Sequence, residues 1–254
     1  MNKKCIICKN DKLEIINIKK PFLTHLDFEH FESRKKNNLL FCKNCSHVFR
    51  SDTLNNKFKF FKSKKYNLHK EDHKYFYKNK TIEQKKLQAK IIIKNLKKKN
   101  NLNILDYGCF DGTLLRELSK YNNIKELIGY DVSKRKMVNS NILFFTDLKK
   151  IKTKIDLVIF SNSIIYEKNI NKKLKILNNI IHDDTKFYIQ IPDYANRAIL
   201  FSLIDQIHFF SKYSIKSLFL SHNVNLKEFK FPQIKNDLIF FGSRKKKYFK
   251  KKLF

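Results

Sequence analysis

Glycine is the residue in shortest supply in this sequence. The 254 residues include four glycines, three prolines, two methionines and no tryptophan. Average usage of about 7% would give roughly eighteen glycines in a chain of this length. Glycine therefore remains only at positions that need it, and two of the four lie in the stretch ILDYGCFDGTLL.

Long apolar runs are also missing. No run approaches the roughly 18 residues that a membrane-spanning helix requires, and the N-terminus MNKKCIICKN lacks the apolar stretch of a secretory signal. We therefore expect a cytoplasmic protein with reduced cysteines. The chain is long enough to bury a full core, either as one domain or as one domain with a small appendage.

Acidic residues are outnumbered. Lysine and arginine total 55 against 23 aspartates and glutamates, which gives a net charge of +32. Such an excess suits a polyanionic partner, but the basic residues are spread along the chain, and lysine, asparagine, isoleucine and phenylalanine are all abundant. We attribute most of the charge to overall composition. The tail RKKKYFKKKLF is the exception, and it is either a basic segment for anionic lipid or RNA, giving weak peripheral membrane contact, or a solubilising terminus.

Four of the five cysteines form two CxxC pairs, Cys5 with Cys8 and Cys42 with Cys45. Two such pairs can supply the four sulfurs of a tetrahedral zinc site. A site closed by four cysteines has no open position for a catalytic water, so the predicted Zn²⁺ is structural and stabilises a segment too short for a large core. We expect His47, two residues after the last cysteine, to be a surface residue rather than a ligand.

The glycine-containing stretch has the pattern of a nucleotide-binding fold. An apolar run ends at Asp106, a turn contains Gly108 and Gly112, a helical pattern follows, and a second apolar run ends at Asp131. This order is typical of a doubly wound sheet, in which the terminal acid holds ribose hydroxyls. Glycine there permits a tight turn and the approach of a ligand where a Cβ would collide. Asp111, inside the loop, suits a cationic ligand better than a pyrophosphate.

The residues LDYGCFDGTLL resemble the first motif of class I S-adenosylmethionine-dependent methyltransferases, and GYDVS resembles the ribose-binding loop of that family. ILFFTDLKKI, IDLVIFSNSIIYE and KFYIQIPDYAN are similar to its third, fourth and fifth strands, so the resemblance covers roughly residues 80–244. It implies an α/β Rossmann-like core that binds S-adenosyl-L-methionine. The implied cofactor-binding residues are Asp106, Gly108, Asp111, Gly112, Asp131, Val132, Asp147, Ser161 and Asn162.

Single residues of this set also have simpler explanations. Asp131 taken alone could be a helix cap, and Asp147 could equally be an acid in a turn. His208, in the capping segment DQIHFFSKYSIKSLFLSHNV, could be a structural histidine. The order and spacing of the motifs together favour the methyltransferase interpretation.

Zinc cysteines before such a core resemble the deoxysugar C-methyltransferases, which act on nucleotide-linked sugars. In that group the zinc module helps to enclose the sugar nucleotide, and the loop after the fourth strand carries polar groups near the substrate. Asn162 matches that loop, but Tyr166 replaces its histidine, and the long C-terminal domain of the group has no counterpart in this chain. We therefore expect C-, O- or N-methylation of a sugar or nucleotide-sugar in surface glycan or deoxysugar biosynthesis, with Tyr166 or His208 as the catalytic proton acceptor.

Two other functions stay open. Some ribosomal RNA methyltransferases also resemble a zinc module joined to this core, and the basic balance would supply phosphate contacts. A cofactor-binding or docking protein without activity is the second alternative, although scarce glycines have no reason to persist in a decayed site. The predicted organisation is a zinc-binding domain (1–50), a linker and packing helix (51–100), the methyltransferase core (101–243) and the basic tail (244–254).

Overall fold

The computed structural model describes residues 4–18, 37–50, 74–78, 80–96, 99–133, 141–196, 201 and 206–244. Apart from Arg244, the basic tail lies outside the described residues. Within the described ranges, no helix has both the length and the apolar character needed to cross a membrane.

Seven of the described strands form the central sheet, in the order β12-β13-β10-β9-β6-β7-β8. The parallel strands are β6 (Leu102–Tyr107), β7 (Ile124–Tyr130), β8 (Ile142–Phe145), β9 (Ile155–Ser161) and β10 (Ile181–Pro192). The antiparallel strands are β12 (Val224–Phe231) and β13 (Ile234–Arg244). The order reverses at β6, since β7 and β8 lie on one side of it and β9 and β10 on the other. Ligands of doubly wound sheets bind at the carboxyl ends of the strands beside such a reversal.

Helices cover both faces of this sheet, because parallel strands are apolar on both sides. On one face, α1 (Gln84–Asn95) and α2 (Thr113–Leu118) pack against Ile104, Leu157 and Tyr188. On the other face, α3 (Ile170–Leu177) and α4 (Lys212–Leu220) pack against Val158 and Phe160. The predicted strands and the helix after the glycine loop are all confirmed, and so is the α/β Rossmann-like class.

A second sheet joins the N-terminal segment to the core. Its strands β1 (Leu13–Ile18), β2 (Asn37–Cys42) and β3 (Val48–Arg50) are antiparallel neighbours. The fourth strand, β11 (His208–Phe209), comes from the chain after β10 and pairs with β3. Buried cysteines of the N-terminal segment belong to the same apolar cluster as Leu105 and Phe160 of the central sheet. The N-terminal segment therefore shares its core with the central sheet.

A hairpin of β4 (Lys74–Tyr77) and β5 (Lys80–Glu83) leads directly into α1. The hairpin places Tyr75 beside α1 and β13, since its hydroxyl is 2.8 Å from Gln84 Nε2 and 3.3 Å from Asp237 Oδ2. The first turn of α1 thus lies near the carboxyl ends of the parallel strands.

Candidate active site

The glycine loop after β6 adopts a backbone conformation that favours glycine. Gly108 and Gly112 have φ angles of 76° and 72°, where a side chain is disfavoured. A Cβ on Gly108 would also lie 2.4 Å from the Cβ of Ser163, in the loop after β9. This contact is a reason for glycine that the sequence did not indicate, and the approach of a ligand stays a prediction. Gly108 is needed because two loops of the protein approach each other.

Asp131 connects the end of β7 to the glycine loop. The residue is 5% exposed, and its carboxylate accepts hydrogen bonds from Phe110 N at 3.1 Å and from Ser133 N and Oγ at 2.9 and 2.8 Å. The Gly108 amide donates to Tyr130 O at 2.7 Å. Asp131 therefore holds the loop in place, and an ionised carboxylate retains capacity for further donors.

Three of the predicted acids surround one buried thiol. Burial raises the pKa of Cys109 well above its usual range, and the negative charges of Asp106, Asp131 and Asp111 raise it further. Asp106 is 2% exposed near the end of β6. The cluster concentrates negative charge at the carboxyl ends of β6 and β7, and it keeps Cys109 protonated and unreactive.

Asp111 has a structural role that the sequence did not reveal. Its Oδ1 accepts hydrogen bonds from Thr113 N at 2.9 Å and Thr113 Oγ1 at 2.7 Å. Its Oδ2 lies 3.8 Å from the Arg116 guanidinium. These contacts fix the start of α2 and partly neutralise the charge that was predicted to face a cationic ligand.

Asp147 and Val132 lie at the edge of this group. Asp147 follows β8, is exposed, and accepts a hydrogen bond from Lys149 N at 3.0 Å, so it caps the 3-10 turn Leu148–Lys150. Val132 is half-buried beside Asp131. The contact of Asp147 is the turn role that the sequence left open, and its contact with the cofactor stays a prediction.

The loop after β9 contains Ser161, Asn162 and the 3-10 turn Ile164–Tyr166. Asn162 has a φ of 56°, a conformation that asparagine tolerates. Asn162 Oδ1 and Ser163 Oγ are buried and have no hydrogen-bond partner among the described residues. Buried polar atoms are normally paired, so these two atoms mark a place where a ligand can bond.

Glu167 fixes the position of this loop, and sequence reasoning missed it. Its carboxylate accepts hydrogen bonds from Tyr107 OH at 2.5 Å and from Asn169 N at 3.1 Å. Burial raises the pKa of Tyr107 well above its usual range, and the Glu167 charge adds to the shift. The phenol therefore stays a donor. Glu167 directly follows Tyr166, so these bonds also hold the residue predicted to accept a proton.

His208 supports the same loop from β11. Its ring is 1% exposed, and Nε2 lies 2.8 Å from the main-chain oxygen of Glu167. A carbonyl can only accept, so Nε2 carries the hydrogen in this contact. The Ile207 amide also donates to Ile165 O at 3.0 Å. The strand that completes the N-terminal sheet is thus attached to the loop that carries Tyr166.

The four paired cysteines converge as predicted. Their sulfurs all lie within 4.8 Å of one another, with Cys5 to Cys45 at 3.6 Å and Cys8 to Cys42 at 3.5 Å. Sulfurs bound to one zinc ion at about 2.3 Å would be about 3.8 Å apart. The hydrogen bond with Cys45 lowers the pKa of Cys5 to about 5 and raises that of Cys45. Thiol number, spacing and burial therefore fit a Zn²⁺ ion.

The surface position expected for His47 is wrong. His47 is fully buried, and its ring stacks on Phe49 and Phe210 at centroid distances of 5.4 and 4.8 Å. It lies 5.3 Å from the ring of His208. Burial lowers the pKa of His47 well below its usual range, and His208 lowers it further. The residue fills the space between the second cysteine pair and β11.

The sheet reverses its strand order beside a glycine loop, and an acid follows the next strand. These features together define the class, a doubly wound core of the nucleotide-binding type. The sequence profile of the methyltransferase domain family matches residues 75–228. The chain belongs to this family and is an enzyme. No curated protein matches the chain.

Solved structures agree on the fold. Magnesium protoporphyrin IX methyltransferase of Synechocystis PCC 6803 with bound S-adenosylmethionine is 15% identical, with a TM-score of 0.52 over 77% of this chain and all of that chain. A chain in the Haloferax volcanii complex of a methyltransferase with the Trm112 methyltransferase activator is 14% identical, with a TM-score of 0.50 over 61% of this chain and 88% of that chain. These likenesses show the shared fold, whereas methyl transfer follows from the family match. The acceptor is undetermined.

Proposed function

We propose that this methyltransferase transfers a methyl group from S-adenosylmethionine to a carbon, oxygen or nitrogen of a sugar or nucleotide-linked sugar. The observation that supports this substrate class is the attachment of the cysteine-containing sheet to the loop that carries Tyr166, through His208 and Glu167. This arrangement suits a zinc module that helps to enclose the substrate, as the resemblance to sugar C-methyltransferases implies.

The residues at the carboxyl ends of β6, β7 and β9 fit the cofactor. Asp131 offers a carboxylate to ribose hydroxyls, and the acids around Cys109 provide the negative charge that a sulfonium and an ammonium require. Asn162 Oδ1 and Ser163 Oγ offer buried polar atoms that are without a partner among the described residues. When bound, S-adenosylmethionine supplies an electrophilic methyl group. The proposed binding residues are Asp106, Gly108, Asp111, Gly112, Asp131, Val132, Asp147, Ser161 and Asn162.

The protein's part in the reaction is to position the acceptor and to take its proton where one is lost. We assign the role of proton acceptor to Tyr166. Its loop is held in place by Tyr107 and His208. The ring of His208 already bonds to Glu167 through Nε2, so we give His208 the role of a positioning residue. The zinc ion would be held by the four cysteines and would stabilise the N-terminal sheet without touching the acceptor.

We also propose that the organisation is a zinc-binding domain (1–50), a linker with α1 (51–100), the methyltransferase core (101–243) and a tail from 244. The core would then contribute β11 to the sheet of the first domain. This exchange would make the position of the catalytic loop depend on the folded state of the zinc-binding domain.

The proposal is tested by incubating the protein with methyl-labelled S-adenosylmethionine and either a small-molecule extract or total RNA. Label in nucleotide sugars is the expected result. Label in RNA would refute the sugar assignment and would give the net charge of +32 a direct role in binding. Label in neither fraction, from protein that binds S-adenosylhomocysteine, would favour a cofactor-binding protein without activity.

The role of Tyr166 is tested with Tyr166→Phe in the same assay. We expect turnover to fall by about 10²- to 10⁴-fold, the range for loss of a general acid or base, with unchanged S-adenosylhomocysteine affinity. His208→Gln serves as the matched variant for positioning and should lower turnover less. Equal activity of Tyr166→Phe and the unmodified protein would remove Tyr166 from the proton path.

A further inference from the structure

A buried polar network lies between α1 and the carboxyl ends of β9 and β10. Its glutamines are almost entirely enclosed, with Gln88 and Gln190 0% exposed and Gln84 5% exposed. Gln84 and Gln88 are four residues apart on α1 and so lie on one face of the helix. The other members of the network are Tyr75, Ser161, Tyr188 and Asp237.

The direction of each hydrogen bond in this network follows from Asp237. An ionised carboxylate only accepts, so the amide nitrogen of Gln190 must face Asp237 Oδ2, at 2.5 Å. The same nitrogen donates to Tyr75 OH at 2.6 Å. Gln190 Oε1 is then an acceptor, and it receives hydrogen bonds from Gln88 Nε2 at 2.8 Å and Tyr188 OH at 2.5 Å.

This chain of donors also orients the two glutamines of α1. Gln88 Nε2 uses both hydrogens, on Gln190 Oε1 and on Ser161 Oγ at 3.0 Å. Gln84 Nε2 donates to Tyr75 OH at 2.8 Å. As a result, Gln84 Oε1 and Gln88 Oε1 are buried acceptors without a donor among the described residues. Leaving such a group unpaired is unfavourable because it loses its hydrogen bonds to water, and a ligand that donates hydrogen bonds would recover this loss.

Donors lie beside these acceptors. Ser161 Oγ accepts from Gln88 Nε2 and lies 3.4 Å from the Lys85 ammonium, so the hydroxyl hydrogen of Ser161 is directed elsewhere and can be donated. The site therefore combines acceptors, the two amide oxygens, with a donor, the Ser161 hydroxyl. A ligand group that both donates and accepts hydrogen bonds matches this combination, and a hydroxyl is such a group. An anion such as phosphate would meet two amide oxygens that repel it, and an apolar acceptor would leave them unpaired.

The position of the network favours the acceptor substrate over the cofactor. Ser161 ends β9 and is paired with Gln190 of β10. These strands lie two and three places from β7 in the sheet, about 10 and 14 Å at the usual strand spacing. Asp131, the proposed ribose ligand, follows β7. The network is therefore on the β9–β10 side of the switch point, away from the proposed ribose position.

We propose that Gln84, Gln88 and Ser161 form a subsite that binds hydroxyl groups of the acceptor substrate, which assigns the side chain of Ser161 to the acceptor rather than to the cofactor. The subsite rests on the proposed function and adds residues of α1, which the sequence did not indicate, to the recognition of a hydroxyl-bearing substrate. Each hydroxyl carries one hydrogen, so two neighbouring hydroxyls of the acceptor donate to the two amide oxygens, and one of them accepts from Ser161.

The side-chain amide NMR signals of Gln84 and Gln88 test this directly. They can be assigned by comparison with Gln84→Met and Gln88→Met, in protein saturated with S-adenosylhomocysteine. The probe is a pool of UDP-glucose, GDP-mannose and dTDP-glucose, and the matched probe without hexose is a pool of UDP, GDP and dTDP. We expect both signals to shift with the hexose pool and to stay unchanged with the nucleoside diphosphates.

Variants separate binding from structure. In Gln84→Met, we expect the apparent Kd of the hexose pool, followed at Gln88, to rise at least tenfold, with the S-adenosylhomocysteine Kd within twofold of the unmodified protein. The control is Tyr188→Phe, which removes a donor to Gln190 but leaves both free amide oxygens in place. Its Kd for the hexose pool should stay within twofold. An equal increase in both variants would show a purely structural network and overturn the subsite.

The remaining outcomes are also decisive. Equal shifts with both pools would show that the hexose hydroxyls are not the groups bound, and would overturn the proposal. Both signals could instead shift when S-adenosylhomocysteine is added and not change further with the hexose pool. This result would assign the amide oxygens to the cofactor site and would also overturn the proposal. No shift with any probe would likewise remove the subsite. If label enters RNA while the hexose pool still shifts both signals, the proposed substrate class fails and the hydroxyl subsite stands.

Discussion

Replacing Gly108 with alanine tests the geometry that joins the two loops of the active site. The new Cβ would lie 2.4 Å from Ser163 Cβ, and the residue would have to keep a φ of 76°. A left-handed conformation costs a residue other than glycine about 1–2 kcal/mol. Overpacking costs about 1–3 kcal/mol more. We therefore expect Gly108→Ala to lower the free energy of unfolding by about 2–5 kcal/mol.

Urea unfolding followed by circular dichroism measures this change, and a double-mutant cycle with Ser163→Gly identifies its cause. Removing the Ser163 side chain should relieve the collision but not the backbone conformation. The double variant should therefore recover about 1–3 kcal/mol relative to the sum of the two single changes. Gly112→Ala, with a similar φ of 72°, provides the comparison for backbone strain. Strict additivity between Gly108→Ala and Ser163→Gly would refute the packing argument.

Three further predictions concern the cofactor, the metal and the pH dependence of stability. Asp131→Asn should weaken S-adenosylhomocysteine binding by about 1.5–3 kcal/mol, the scale of a hydrogen bond to a charged group, and unchanged affinity in calorimetry would remove Asp131 from the site. Purified protein should contain about one zinc ion per chain, and chelation should lower the melting temperature because the cysteine cluster shares the core of the central sheet; a metal-free protein with the same melting profile would contradict this. Burial, and to a lesser degree Lys175, lowers the pKa of His222 below 6.5, so the unfolded state binds the proton first and stability falls as pH drops below 6.5, by at most about 1.4 kcal/mol per pH unit. His222→Gln should lose less stability than the unmodified protein between pH 7 and pH 5.5 in urea titrations, and identical losses would argue against a lowered pKa.

Local patterns were sufficient where the chemistry depends on residues close together in the sequence. The run from Asp106 to Gly112 and the acid at Asp131 lie within one strand–helix–strand unit, so their order alone indicated the doubly wound sheet. The two CxxC pairs have a spacing that serves one tetrahedral ion, and the sulfurs do converge. The turn contact of Asp147, one of the two roles that the sequence left open, involves a residue two positions away. The contact of Asp111 with Thr113 is equally local but was not predicted.

Contacts between segments far apart in the chain could not be predicted from the sequence. His47 looked like a surface residue because nothing near it in the chain shows that Phe210 and His208 cover it. The need for glycine at position 108 was recognised, but its neighbour, Ser163, belongs to another loop. Glu167 ends the motif IDLVIFSNSIIYE but was given no role, since its importance depends on Tyr107 and His208, which come from two other elements.

The sequence by itself determined the α/β core, the cysteine cluster and the glycine loop, because each is encoded by periodicity or spacing within a short segment, and the resemblance of its motifs indicated a methyltransferase. Only the tertiary structure decided that β11 completes the N-terminal sheet and that α1 places two unpaired amide oxygens beside β9 and β10. The physical reason is that strand pairing and the satisfaction of buried polar groups are settled between segments far apart in the chain. The carboxylate of Asp237 fixes the orientation of the Gln190 amide, and that amide fixes the orientation of Gln88, about 150 residues earlier in the sequence. No local sequence pattern shows this dependence.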